Sequence, residues 1–505
     1  LLLQIMPFSV PSDVSGGLYF LEGRRVTGPG GARTFDVFEP STGTVVAQCP
    51  VADAGAVDAA VRTAHRAFPE WGSKTELERA QILHAAARII RNNLEAIARA
   101  EVRCNGKPIY EARVDIASSA DTLDYMAGIA PAVLLGESMD LPGGPLTRFA
   151  YTRREPFGVV GLIGAWNYPF QTCMWKVAPA LAAGNAVVYK PSPFAPASPV
   201  LLAEILTAAG LPAGVLNVVQ GDAETGTALC EHPLIRKVSF TGSVATGMKV
   251  QQACAAKNIK PVTLELGGKS ALVVFDDSDV PSAVAAAMLA NFLNQGQVCT
   301  NATRVFVQQG VLEAFTCALV KEANDKLVVG DPHQEETRVG ASINEGHLNR
   351  VLDYIESAKA EGGTVVRGGV RVHPTGVENG FYLDPAIITG LTDDARAVRE
   401  EIFGAVCLIL PFQTEEEVIH RVNNTTFGLA AGVFSGNLAR AHRVAAQLEA
   451  GTVFINTYND TEVHVPFGGF KNSGHGRENC PDTLRLYTQI KAIYVNVQDK
   501  TEHCF

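Results

Sequence analysis

The stretch Val159-Val160-Gly161-Leu162-Ile163, then a helical segment from about Met174 to Ala183, then Asn185-Ala186-Val187-Val188-Tyr189-Lys190, decides the fold class. Each apolar, β-branched run is the right length for one buried strand, and the segment between them is long enough for a crossover helix. The alternation continues outward. Pro199 to Ala209 reads as a helix, and Val215-Leu216-Asn217-Val218-Val219 and Lys237-Val238-Ser239-Phe240 read as strands. Short strands separated by helices predict a parallel, doubly wound sheet, which binds ligands beyond the carboxyl ends of its strands.

Upstream, between Val57 and Ala100, Ala60, Ala64 and Phe68 recur at near-helical spacing, as do Ile82, Ala85, Ile89 and Ile90. A Gly/Pro-rich break follows at Leu141-Pro142-Gly143-Gly144-Pro145. Downstream, a second α/β unit begins at about Ala271. Its strands are expected at Leu272-Val273-Val274-Phe275, Arg304-Val305-Phe306-Val307, Thr364-Val365-Val366 and Cys407-Leu408-Ile409-Leu410.

The chain has 505 residues, and at ~150 residues per domain a chain of this size has a prior of about three domains. Hydrophobic residues at 47% and charged residues at 19% mark a globular protein rather than a disordered or fibrous one. The balance of 42 basic and 52 acidic residues gives −10, with no Lys/Arg cluster, which argues against nucleic-acid or anionic-membrane partners. The ten cysteines form no CxxC and no Cys/His cluster at zinc spacing, so reduced thiols are expected. No run approaches the ~20 apolar residues of a membrane span. The opening Leu1-Leu2-Leu3-Gln4-Ile5-Met6 lacks a basic region, and His503-Cys504-Phe505 is neither a peroxisomal nor an ER address. A cytoplasmic location is the default expectation.

Four stretches carry chemistry. Phe240-Thr241-Gly242-Ser243-Val244-Ala245-Thr246-Gly247 follows a strand and opens a helix, where backbone N–H groups and the helix dipole suit a pyrophosphate. Its G-x4-G spacing fits a plain strand–turn–helix junction equally well. Asn294-Gln295-Gly296-Gln297-Val298-Cys299-Thr300-Asn301 follows an apolar helix expected to end at Gln295-Gly296, leaving Cys299 in a polar loop. Most cysteines are small core residues, but these polar neighbours favour an accessible thiol, whose thiolate is the reactive form. In Val262-Thr263-Leu264-Glu265-Leu266-Gly267-Gly268-Lys269, Glu265 interrupts an apolar strand pattern. Burial would raise its pKa toward the range of a general base, while pairing with Lys269 would make it structural. In Ala165-Trp166-Asn167-Tyr168-Pro169-Phe170, Asn167 follows a strand and could aim amide N–H donors at an oxyanion, or merely shape a turn.

Taken together, the chain resembles the NAD(P)-dependent aldehyde dehydrogenase superfamily over essentially its whole length. The resemblance rests on Gly164 to Pro169, Gly184-Asn185 to Lys190-Pro191-Ser192, Phe240 to Ser243 and Leu264 to Ser270. It continues through Gln295 to Cys299, Glu400-Glu401-Ile402-Phe403-Gly404 and Pro466-Phe467-Gly468-Gly469-Phe470-Lys471. Tyr151 to Pro156, Ala290 to Leu293, Thr425 to Ala430 and Val453 to Tyr458 are similar to the subgroup acting on betaine aldehyde and 4-trimethylaminobutyraldehyde.

The resemblance implies two doubly wound α/β domains, one Rossmann-like for the cofactor and one catalytic, plus a small β oligomerisation element. The implied ranges are 1–140 with 158–270, then 271–480, then 141–157 with 481–505. It implies Cys299 as nucleophile, Glu265 as base, Asn167 as oxyanion donor, and Lys176 with Glu478 as a proton relay or a structural ion pair. The cofactor is expected to be NAD, with NADP open because Pro193 stands where many NAD-preferring relatives carry a glutamate. Its implied contacts are Trp166, Lys190, Ser192, Gly242, Ser243, Gly247, Glu265, Leu266, Gly267, Glu401 and Phe403. Tyr168, Trp175, Phe292, Tyr458 and Phe467 are the candidate substrate pocket, no metal is required, and a homotetramer is the implied assembly. Ala405 and Ala271 replace family prolines, which bears on local turns rather than on reacting groups. A broad-range aldehyde scavenger, an acylating relative and a non-catalytic structural relative are the rival readings.

Overall fold

The computed structural model describes residues 8–11, 18–28 and 31–498; the opening run and the final tripeptide discussed above lie outside them. Val159–Ile163 and Ala186–Lys190 are buried at all five positions and pair in parallel, Val159 opposite Ala186 through Ile163 opposite Lys190. Ile235–Thr241 lies on the other side of Val159–Ile163, also in parallel, and Val262–Glu265 follows it. The chain thus builds one wing of the sheet through Ala186–Lys190 and Leu216–Val218, then crosses to build the other. That reversal opens a crevice between the carboxyl ends of Val159–Ile163 and Ile235–Thr241, where doubly wound folds bind ligands.

Parallel pairing does not extend across the whole eight-stranded sheet. Tyr19–Leu21 at one side and Gly474–His475 at the other are antiparallel to their neighbours. The second sheet has seven strands and is likewise parallel except for Thr364–Arg367, which pairs antiparallel with Ala386–Thr389. Its centre is Arg304–Gln308, between Val406–Phe412 and Ala271–Val274.

The helical region expected between Val57 and Ala100 divides into Ala54–Ser73, Glu76–Asn92 and Leu94–Asn105. The first break is set locally, because Thr75 and Glu78 form a reciprocal capping box that starts a new helix. Helix Ile109–Val133 packs against Pro169–Ala182 in the core of the first sheet. Finally, Thr488–Asn496, Arg148–Pro156 and Ser138–Asp140 form a three-stranded sheet, with all nine residues of the first two in register. Among the described residues no helix is long and apolar enough to cross a membrane.

Candidate active site

Cys299 sits at the tip of a loop whose polar residues face inward. The apolar helix ends at Phe292, three residues earlier than the pattern predicts, because Asn294 and Gln295 take φ of 48° and 55°. Long-range contacts hold that turn. The Asn294 N–H donates to Glu111 Oε2 at 2.8 Å, and Gln295 Nε2 donates to the carbonyls of Gly106 at 3.0 Å and Ala341 at 2.8 Å. Gly296 is required here, since a Cβ would lie 2.2 Å from the Gly404 carbonyl carbon. Asn294, Gln295, Gln297, Thr300 and Asn301 are all buried, and Cys299 alone is half-buried. The loop is polar because its buried backbone needs donors and acceptors, not because it faces solvent.

Asn167 reaches this loop from the carboxyl end of Val159–Ile163. Its Nδ2 donates to the Gln297 carbonyl at 2.9 Å, while its own carbonyl accepts from Asn294 Nδ2 at 2.9 Å and from Asn105 Nδ2 at 3.1 Å. A side-chain amide carries two N–H donors, so one remains for a ligand near Cys299. Burial, followed by the negative charges of Glu265 and Glu401, pushes the Cys299 thiol up to about 12.

Glu265 ends the strand Val262–Glu265, opposite Thr241, and its carbonyl accepts the Gly242 N–H at 3.0 Å. Its carboxyl is buried, and neither oxygen has a hydrogen-bond partner among the described residues. Burial holds its pKa well above the usual carboxylate range; repulsion from Glu478 adds to this, and Lys176 and Arg477 oppose it. Lys176, fully buried in helix Pro169–Ala182, donates to Glu478 Oε1 at 2.5 Å and to Ser239 Oγ at 2.9 Å. Glu265 is not paired with Lys269, whose buried amine has no partner among the described residues.

The cofactor candidates line the crevice at the strand reversal. Ser243 caps helix Val244–Lys257, accepting the Thr246 N–H at 3.3 Å, so the first turn presents free N–H groups. Gly247 lets this helix approach Leu266, where a Cβ would come within 2.6 Å. Lys190 and Ser192 are buried at the end of Ala186–Lys190. The Lys190 amine has three donors and one acceptor, the Pro191 carbonyl at 3.0 Å, and burial lowers its pKa to about 8. Glu401 Oε1 accepts the Gly268 N–H at 3.0 Å and lies over Gly267. Phe403 meets the Trp166 ring edge-on at 5.2 Å. A buried lysine with donors to spare among the described residues and a Ser-capped helix start fit the ribose and the pyrophosphate of a dinucleotide.

The aromatic candidates separate into two groups. Trp175 and Phe467 pack at 5.0 Å between centroids, and the buried Trp175 indole N–H has no partner among the described residues. Tyr168 presents one ring face to the Lys107 ammonium at 3.8 Å, itself paired with Asp115 at 2.6 Å. Phe292 and Tyr458 instead belong to the core of the second sheet. The Tyr458 hydroxyl donates to the Thr300 carbonyl at 2.7 Å, so it braces the Cys299 loop. Sequence reasoning missed Lys107 and Lys237; the second had a signal, a lysine inside the apolar pattern Ile235-Arg236-Lys237-Val238. Among the described residues no group of three or more His, Cys, Asp or Glu could hold a metal ion.

The doubly wound fold, with a half-buried cysteine, a tethered asparagine and a buried glutamate that has no partner among the described residues, is that of a dehydrogenase. The model of the aldehyde dehydrogenase family matches residues 27–493, and the chain belongs to that family. It is 52% identical over 488 residues to the 4-trimethylaminobutyraldehyde dehydrogenases of Rattus norvegicus and Homo sapiens, covering 96% of this chain and 98% of each relative. It also superposes on a crystal structure of betaine aldehyde dehydrogenase from Staphylococcus aureus in complex with NAD+. There the TM-score is 0.92 at 33% identity, over 96% of each chain.

Proposed function

We propose that the chain oxidises ω-trimethylammonium aldehydes such as 4-trimethylaminobutyraldehyde and betaine aldehyde to carboxylic acids, with NAD as acceptor. The observation that carries the chemistry is the tether of Asn167 to the Cys299 loop, with Glu265 buried and without a partner among the described residues. The substrate class rests on the relatives named above and on the paired rings of Trp175 and Phe467. A quaternary ammonium donates no hydrogen bond, so aromatic faces are its natural partners.

In this mechanism the Cys299 thiol first gives its proton to water, and the thiolate Sγ attacks the aldehyde carbon, giving a tetrahedral thiohemiacetal. The free Asn167 N–H and the Cys299 backbone N–H receive the oxyanion. Bound NAD would supply the hydride acceptor. Lys190 and Ser192 would hold the adenosine ribose, Gly242, Ser243 and Gly247 the pyrophosphate, and Trp166, Leu266, Gly267, Glu401 and Phe403 the nicotinamide end. Loss of hydride leaves a thioester on Cys299. Glu265 then takes a proton from water, the hydroxyl oxygen adds to the acyl carbon, and the thiolate departs. Lys176 and Glu478 relay that proton.

We also propose a homotetramer, a cytoplasmic location and the domain ranges given above. The exposed Ile490 and Tyr494 of the three-stranded sheet support the first, and scattered thiols the second. A kcat/KM panel over trimethylammonium, free-amine and aliphatic aldehydes, with NAD and with NADP, tests the function. No NADH formation with any aldehyde overturns the chemistry, and equal values across the panel overturn the substrate class.

A further inference from the structure

One face of the paired strands Ile235–Thr241 and Val262–Glu265 is polar although it lies inside the protein. Val238, Phe240 and Leu264 point into an apolar core. The alternate positions are Lys237, Ser239 and Thr241 on one strand and Thr263 and Glu265 on the other, with Ser239 opposite Thr263 and Thr241 opposite Glu265. A column of polar side chains thus runs from the Glu265 carboxyl down the sheet to Lys237.

Lys237 is 1% exposed, yet among the described residues its amine finds only a 3.4 Å contact with Thr263 Oγ1 and the Tyr487 ring at 5.1 Å. Three donors with one distant acceptor are a poor setting for an ammonium and a good one for a neutral amine. Around it stand Lys176 from helix Pro169–Ala182, Glu478, the exposed His475 on the neighbouring edge strand, and Tyr487 after the last helix. Burial and Lys176 lower the Lys237 pKa, Glu478 raises it, and it settles at about 7.

Each turnover converts aldehyde, NAD and water into acid, NADH and a proton, so a proton must leave this enclosed site. We propose that Lys237 is the acceptor that carries it away from the Glu478 and Lys176 pair toward solvent. The proposal rests on Glu265 acting as the hydrolytic base. The Glu265 proton passes to the Glu478 carboxylate and then forms an N–H bond on neutral Lys237, which returns it to water. No electron moves in these steps.

The test uses the full-length enzyme with NAD, Lys237→Arg and Lys237→Met, and Glu265→Gln as control. Both Lys237 variants should keep the NADH burst and KM while steady-state kcat falls ~10²-fold, the lower end of a positioned proton-transfer group. Arg keeps the charge but cannot give up its proton, so restoration of wild-type kcat by Arg would reduce Lys237 to a counter-charge for Glu478 and overturn the proposal. If neither variant folds, the wild-type profile decides. Steady-state kcat should decline as pH falls through about 7 while the burst rate does not share that limb, and a flat kcat between pH 6 and 8 overturns the carrier role. A Glu265→Gln control without a burst would instead mean that the underlying base assignment has failed.

Discussion

Replacing Glu265 with Gln isolates the hydrolytic half of the reaction, because the structure separates its chemical cost from its folding cost. The Glu265 oxygens accept no hydrogen bond among the described residues, so the nearly isosteric amide breaks none. Burial already favours the proton-bearing form of the carboxyl. The folded protein therefore retains a proton that the unfolded chain releases above about 4.5, and this group makes stability fall as pH rises through that value. Gln removes that loss, so the variant should melt no lower than wild type at pH 8. Its chemistry should suffer, since a side-chain amide cannot take the proton of water. General-base loss of ~10²–10⁴-fold corresponds to roughly 3–5 kcal/mol on the hydrolytic barrier. Rapid mixing with aldehyde and NAD should show a near-stoichiometric burst of NADH followed by a slow steady state. A uniform slowing with no burst would refute the division, and would place Glu265 on the route that deprotonates Cys299.

Three further substitutions test the rest of the site. Cys299→Ala should abolish dehydrogenase activity and leave NAD binding, measured by calorimetry, within about twofold; turnover comparable to wild type would sink the covalent mechanism. Asn167→Ala removes one oxyanion donor and should lower kcat by ~10²–10³-fold. Because Asn167 also tethers the Gln297 carbonyl, a crystal structure of the variant must show the Cys299 loop in place for that number to count. Trp175→Ala should raise KM for a trimethylammonium aldehyde several-fold to tens-fold, the equivalent of about 0.5–2 kcal/mol of cation–π contact. The neutral aldehyde of equal length should change much less, and equal losses on both would make Trp175 packing alone.

The sequence by itself determined the strands around the crevice, because buried parallel strands must be continuous short apolar runs, and Val159–Ile163 and Ala186–Lys190 are such runs. It also marked Cys299, Glu265 and Asn167, since each is a reactive or polar residue at a strand end or in a Gly-rich loop. Edge strands were less legible: Gly474–His475 is too short to carry a pattern, and its pairing with Val262–Glu265 is decided by a partner some two hundred residues away. The burial of the Cys299 loop was equally hidden. Its Asn and Gln residues read as solvent-facing until Glu111, Gly106 and Ala341 arrive to hydrogen-bond them. Only the tertiary structure decided that Tyr458 braces this loop and that Lys107 covers one face of Tyr168. The physical reason is range. Periodicity and local hydrogen bonding act over a few residues and are written in order along the chain. The charge environment of a buried group is set by whichever segments the packing brings around it, and no local pattern encodes that meeting.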